Sequence, residues 1–487
     1  MKPHYDRIRR VKTHSGSTAI QVGKYVGKNF KLTKHIGSAK ETAKIDELLN
    51  IASEYIQTHS PQLSLNFKPQ QSEEILYKRG VFVQRSWLEE AYNYLENTYD
   101  HIGFPALSNT LLKHMVMIRV MEPASKIKSV QLLQKYFDIT YKKTTVFREL
   151  SRIVSLKEAV IRIAIAYAKH NLHFDFSLVF YDVTTLYFES FKDDPEELRK
   201  PGFSKDNKPN QPQILIGLVV NDTGFPIYYD IFAGNTFEGK TIIPVIVELK
   251  EKYQIKKFTV VADAGMLSEK NLDELEAQGI DYVVGARIGM LNIEQVRNIS
   301  HMLNKENAKI VRVDTMIYEY STKRAAKDKS DTDKAIQKAN YYLNNPAKVL
   351  KRSVFLASND KKHFTLNEAL IEKHRLLEGI KGYKTNIKGV PERLLIARYK
   401  DLWRIEQSFR IAKSDLEARP IYHRKENSVQ YHILIVFMAL CMARVIEKEK
   451  GESIKKVTDE LKDKWALLLK DEISGNTLKV LLDKNPH

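Results

Sequence analysis

Apolar and polar residues alternate on either side of Gly27-Lys-Asn29, and this predicts two paired strands at 18–26 and 30–36. Ile45, Leu48, Leu49, Ala52 and Ile56 then recur at three- and four-residue spacing, the period of a helix. The polar stretch 60–72 contains two prolines and predicts a linker. From about 88 to 170 the period is helical throughout. Leu111, Leu112, Met115 and Val116 mark one helix, and Ser125 caps a second built on Ile127, Val130, Leu132 and Leu133. A third starts near Thr144 and carries Arg148 and Arg152, and a fourth opens at Ser155-Leu-Lys-Glu158, a capping-box pattern. Short helices with Lys and Arg between apolar positions suit a helix-turn-helix module. The rhythm changes at 174. Strands are predicted at 178–181, 214–220 and 226–232, the last two joined by the turn Asn221-Asp-Thr-Gly224. A helix at 241–253, a strand at 258–262, a helix at 267–278 and a strand at 281–286 follow.

Three strands followed by alternating helix and strand is the order of an RNase H-like fold, a mixed sheet flanked by helices. Residues 288–398 fit that sheet less well. Strand-like alternation at 310–320, a basic polar run at 321–330, a helix at 333–350 and a strand at 352–357 predict an inserted α+β domain. Helices return at 391–416 and 429–447. The expected division is an N-terminal hairpin, helix and linker (1–87), a helical DNA-binding region (88–173) and the first part of the RNase H-like core (174–287). An insertion (288–390), the last helices of the core (391–447) and a basic C-terminal tail (448–487) complete it.

Charge narrows the partners. Lysine and arginine exceed aspartate and glutamate by 78 − 60 = +18, which favours a polyanion, nucleic acid before a membrane surface. Apolar content of 43% is enough for real cores, and 487 residues are too many for one. A single cysteine, Cys441, excludes an intrachain disulfide framework and a zinc site built from several cysteines. The sequence opens Met-Lys-Pro-His-Tyr-Asp without an apolar leader, and its longest apolar stretch, 433–443, is too short to span a bilayer. A cytoplasmic protein is therefore expected, with no membrane partner.

The candidate chemistry lies in three acids. Asp182 ends the apolar run that starts at Phe176, and Asp263 ends Phe258-Thr-Val-Val-Ala262 ahead of the small Ala264-Gly265. Glu406 sits in a helical pattern in which Tyr399, Trp403, Glu406, Arg410 and Lys413 line one face. Carboxylates held at strand ends and on a helix can share a pair of Mg²⁺ ions, which drive in-line displacement at a phosphate. An aromatic and two cations beside such a ligand make a surface suited to DNA. His423 and His432, nine residues apart, read as structural or DNA-proximal rather than as a metal site. Glu189 reads as solvated, and Asn235-Thr236 as a turn.

With these residues in place the chain resembles bacterial insertion-sequence transposases of the DDE type, in the branch with a Tyr-x2-Arg-x3-Glu-x6-Lys signature. Tyr399, Glu406 and Lys413 fall at the signature's spacings; Leu402 occupies the arginine position, a departure, and Arg404 points about 200° around a helix from it. Residues 181–189, 234–236, 385–386, 419–423 (Arg-Pro-Ile-Tyr-His) and 122–126 (Glu-Pro-Ala-Ser-Lys) agree with the resemblance, which covers roughly 100–445. It implies that Asp182, Asp263 and Glu406 bind two Mg²⁺ or Mn²⁺ ions. It also implies that Arg410 and Lys413 hold DNA phosphates near the cut, that Tyr399 and Trp403 support a flipped DNA base or simply pack, and that transposon ends are cut and joined to target DNA by a homodimer or higher synaptic complex acting at the nucleoid. A DNA-binding regulator without catalysis and a nuclease of the same fold without strand transfer are the alternatives.

Overall fold

The computed structural model describes residues 7–26, 29–59, 80–189, 198–203, 211–265, 268–303, 309–345, 354–360, 363–423 and 425–484. Two compact units are present, residues 1–82 with 470–476 and residues 83–469 with 477–487. In the first, strands β1 (Arg7–Lys12), β2 (Thr18–Val26) and β3 (Asn29–Ala39) form an antiparallel sheet and α1 (Thr42–His59) follows. Ile20, Val22 and Ala52 are its buried centre, with Ile45 and Leu48 packed around them. The predicted hairpin thus gains a third strand, and the predicted linker lies outside the described residues.

β4 (Val81–Trp87) leads into α2 (Glu89–Ile102), α3 (Thr110–Met121), α4 (Lys126–Phe137), α5 (Lys143–Ile153) and α6 (Lys157–Asn171). Asn109 and Ser125 cap α3 and α4 by accepting the amides of Leu112 and Lys128. The cap expected at Ser155 does not form. A short 3-10 turn runs into α6, and the Ser155 hydroxyl donates to the Arg152 carbonyl instead.

The central sheet begins with β5 (Val179–Tyr187), β6 (Gln213–Asn221) and β7 (Pro226–Ala233). After α7 (Ile242–Lys252), β8 (Thr259–Ala262) returns parallel to β5; α8 (Glu269–Ala277), capped by Ser268, then leads to β9 (Asp281–Ala286), parallel to β8. The order β9-β8-β5-β6-β7, with β5, β6 and β7 mutually antiparallel and β8 and β9 parallel to β5, is the RNase H-like arrangement. β6 is buried along its whole length, as a strand covered on both faces must be, and it reads Ile-Leu-Ile-Gly-Leu-Val-Val.

The stretch between the second and third acids holds α9 (Ile293–Met302), β10 (Ile310–Val313), β11 (Met316–Tyr320) and α10 (Thr322–Asn344). It continues with β12 (Leu356–Asp360), β13 (His363–Leu366), α11 (Glu368–Leu377) and β14 (Ile380–Thr385). Ile299, Leu303, Tyr318 and Ile380 give it a small core of its own, while β10, β11 and β14 extend the central sheet beyond β9. The basic run 321–330 is helical, because Ser321 caps α10 and no glycine or proline interrupts it.

α12 (Glu392–Lys400), α13 (Trp403–Arg410) and α14 (Glu426–Lys450) follow. α14 is long and apolar enough to cross a membrane, but Ile433 to Ala443 are all buried inside this unit, as in the central helix of a packed core. The C-terminal stretch is not a simple tail. After α15 (Ile454–Lys462), β15 (Lys464–Asp471) and β16 (Thr477–Asp483) form a sheet in the order β16-β15-β4.

Candidate active site

β5 and β8 pair in parallel, Val179 opposite Val260 and Phe180 opposite Val261. Asp182 and Asp263 each stand two residues beyond the second pair, so the same register sets them side by side with Cβ atoms on one face. Asp182 lies inside β5 rather than at its end, because the β-branched Val183, Thr184 and Thr185 continue the strand. Asp263 is the first residue after β8 and is exposed. Its Oδ1 accepts the amide of Ala264 at 2.8 Å and the hydroxyl of Tyr399 at 3.0 Å, and Oδ1 of Asp182 accepts the amide of Val183 at 2.7 Å.

Tyr399 is the link among the acids. Its ring is buried, and its hydroxyl is pushed well above the usual phenol range by burial and then by the negative charges of Asp263, Glu406 and Asp182. All three carboxylates act electrostatically on this hydroxyl, and Asp263 alone accepts its hydrogen bond. Gly285 on β9 makes room for that hydroxyl: a Cβ there would stand 2.6 Å from it. Lys381 on β14 places its ammonium 4.5 Å from the Tyr399 ring centre and is drawn toward its charged form by Asp263 and Glu319; burial nevertheless holds its pKa below the usual lysine range. Arg287 donates to the Gly265 carbonyl at 3.2 Å and braces the turn after Asp263.

Glu406 is exposed in the first turn of α13, where the helix dipole favours a carboxylate. Ile405 and Phe409 are buried as α13 packs against β5 and β6, and the Ser408 hydroxyl donates to the Gly224 carbonyl at 2.8 Å. The hairpin turn between β6 and β7 thereby fixes how Glu406 projects.

The single helical face expected from 399 to 413 is three pieces. α12 ends at Lys400, α13 starts after the turn at Asp401-Leu402, and Ile411–Asp415 is a π-helical turn. Each break resets the 3.6-residue period on which the spacing argument depended. Tyr399 is buried against Asp263 rather than displayed beside Trp403, which is half exposed. Arg410 is exposed with Asp415 at 3.9 Å, and Lys413 lies half-buried in the π turn. Arg404 turns away from the acids, its Cβ beside Gly224 and its guanidinium 5.2 Å from the Trp403 ring, so it does not replace the arginine that Leu402 lacks.

Among the described residues no three His, Cys, Asp or Glu side chains stand close enough together to hold one metal ion. Carboxylates that share two ions about 4 Å apart stand farther from one another than ligands of a single ion. Asp182 and Asp263, side by side and each accepting a backbone amide, and Glu406, exposed on α13, are all hard oxygen donors of the kind that suits Mg²⁺ or Mn²⁺.

Residues outside the acids have structural work. His432 donates from Nε2 to the Ala418 carbonyl at 3.0 Å, so its Nδ1 accepts from Arg119 at 3.3 Å, and His423 lies against it with ring centres 5.4 Å apart. Their neighbours are cationic, which does not suit a metal site. Thr385 donates to the Tyr282 carbonyl at 2.6 Å, and the Asn386 side chain joins the Tyr282 amide and the Ile280 carbonyl, which ties β14 to β9. Glu189 and Asn235 are exposed. Lys381, Arg287 and Gly285 escaped the sequence reading because each looks ordinary in or just after its strand.

Two Mos1 transposase structures resemble the chain slightly. One, a paired-end complex with the left transposon end, has 11% identity over 50% of this chain and 67% of its own, with a TM-score of 0.16. The other, a Mos1 mariner paired-end complex with Mn, has 15% identity over 50% of this chain and 73% of its own, also at 0.16. At that score neither superposition carries an argument. No curated protein matches the chain. A family model described as "Transposase DDE domain" matches residues 173–442, more than half the chain and a span that includes all three acids, and by that match the protein belongs to the DDE transposases.

Proposed function

We propose that the protein binds the ends of its own insertion sequence, cuts them in a metal-dependent reaction and joins the freed 3′-OH to target DNA, with Asp182, Asp263 and Glu406 as the catalytic acids. The observation that supports this reading is the register of β5 and β8, which brings Asp182 and Asp263 side by side, with the Tyr399 hydroxyl hydrogen-bonded to Asp263 and within the field of Glu406. Two Mg²⁺ or Mn²⁺ ions held there would supply Lewis-acid activation of the attacking oxygen and neutralise charge on the leaving one. The chain's own residues do the rest. β5 and β8 hold two acids at a fixed spacing, and α13, pinned by Ser408, presents the third. Tyr399 donates to Asp263 and keeps one oxygen in place, as a hydrogen-bonding partner behind a metal ligand does. Arg410 and Lys413, about one and two turns beyond Glu406, offer cations to the backbone of the bound strand. Trp403, half exposed beside them, offers a face on which a base can stack. Two ends must be cut together, which calls for a homodimer or a larger synaptic complex.

Glu406→Gln tests the assignment. It should bind transposon-end DNA as the wild type does and fail to cut it with Mg²⁺ or Mn²⁺. Loss of binding in parallel would make Glu406 a structural residue and remove it from the reaction.

A further inference from the structure

The N-terminal unit carries charge out of proportion to its size. Residues 7–40 hold nine Lys and Arg and no Asp or Glu, 9 − 0 = +9, which is half of the chain's net +18. The same residues span the strands β1, β2 and β3. One face of their sheet is covered by α1. Ile8, Ile20, Val22 and Ile36 pack there with Ile45 and Leu48, and a Cβ on Gly37 would stand 2.7 Å from Leu48. The register sets what the other face presents, because residues opposite one another in an antiparallel pair share a face. Arg7, Gly23 and Leu32 form one row across the three strands, and Arg9, Gln21 and His35 form the next. Arg7, Arg9, Leu32 and His35 are exposed. Phe30 lies across Gly23, where a Cβ would stand 2.8 Å from the ring. The Arg9 guanidinium sits 5.2 Å from the centre of that ring, and Tyr25 meets it edge-on at 5.1 Å.

Charge without acidic neighbours calls for a polyanion, and the shape of the face says which. Three strands about 4.8 Å apart make a face about 10 Å across, close to the width of the DNA major groove, about 12 Å. The Phe30 ring is packed by Arg9, Tyr25 and Gly23 and is not offered to an unpaired base, so the occupant is a duplex. Arginine and glutamine, which stand side by side here as Arg9 and Gln21, are side chains that pair with the edges of guanine and adenine. Phosphate contacts carry no sequence, so choosing the ends needs such a surface beyond the acids. The helices at 88–173 have less to give. Their 12 Lys and Arg against 8 Asp and Glu leave 12 − 8 = +4, and Arg148 and Arg152 on α5 both lie against Glu149, at 3.2 and 3.3 Å. We propose that the open face of the β1-β2-β3 sheet docks on duplex DNA at the element's ends, with Arg7 on a phosphate and Arg9 and Gln21 at base edges. The assignment rests on the end-binding function proposed above.

Binding measured in EDTA tests the face apart from the chemistry, so it can fail while cleavage stands, and the reverse. The full-length protein is titrated with end duplex, an unrelated duplex of equal length and the end sequence as a single strand, over a range of salt. Arg7→Ala should make the slope of log K against log salt shallower by about 0.9, the share of one phosphate. Gln21→Ala should keep the slope and lower the preference for end over unrelated duplex about tenfold, within the range for one lost base contact. Arg148→Ala with Arg152→Ala on α5 should change neither. Unchanged slope and preference in the sheet variants, with the loss appearing in the α5 variant, overturn the sheet in favour of the helices. Tighter binding of the single strand than of the end duplex overturns a duplex as the occupant.

Discussion

Asp182, Asp263 and Glu406, the proposed catalytic acids, each stand in a local context that a strand or helix fixes: apolar β-prone runs before Asp182 and Asp263, and the first turn of α13 around Glu406. The residues packed around them could not be read from the sequence, since their roles come from contacts over long sequence separations. Tyr399 reaches back 136 positions to Asp263 through the space that Gly285 leaves. Tyr399→Phe should keep the fold and the affinity for DNA and lower the cleavage rate about 10- to 100-fold, the usual cost of losing the partner behind a metal ligand. Single-turnover cleavage against end-binding affinity separates the two; a weakened affinity with an unchanged rate would place Tyr399 in DNA contact. Lys413→Ala should weaken end binding and reduce its log–log salt slope by about one, and an unchanged slope would remove Lys413 from the phosphate contacts.

At the scale of elements, period and turn chemistry fixed most of the core. The strand at 281–286 and the Asn221–Gly224 turn fall where the pattern put them, the Asn221 side chain accepting the amides of Thr223 and Phe225. Reading failed where an element departs from its own period. The breaks at Asp401-Leu402 and Ile411–Asp415 leave no mark in composition, yet Tyr399 is buried and Lys413 sits half-buried in a π turn. The strands at 464–483 were missed because the apolar run Ala466–Leu469 between Lys464 and Lys470 also reads as part of an amphipathic helix. Asn386 is the clamp between β9 and β14, so Asn386→Ala should cost about 1–3 kcal/mol, the penalty for buried backbone groups left unpaired. Urea unfolding of the two proteins measures it; an unchanged midpoint would mean the strands hold without the clamp.

At the scale of the whole molecule, a basic surface surrounds a core that keeps several histidines neutral. Burial pushes the pKa of His114 down to about 4, and that of His423 likewise to about 4, with Lys126 and Arg119 adding to the effect on His423. A histidine whose folded pKa lies below its unfolded value binds its proton more readily when unfolded. Stability is then complete above about pH 6.5 and falls as pH drops toward 4, by about 3 kcal/mol for His114 alone. The melting temperature should decline steadily from pH 6.5 to 4 and do so less in His114→Gln. A flat profile across that window would show that these rings are already charged in the fold.

The central claim is that one site both cuts and joins. Purified protein, the flanked ends of its own element and a supercoiled target are combined with Mg²⁺, Mn²⁺ or EDTA, beside Asp263→Ala. Metal-dependent nicks at the element boundary and end–target joined product are expected, both absent in EDTA and in the variant. Cleavage without joined product would contradict it in favour of a nuclease, and tight end binding with no cleavage under either metal would contradict it in favour of a DNA-binding regulator.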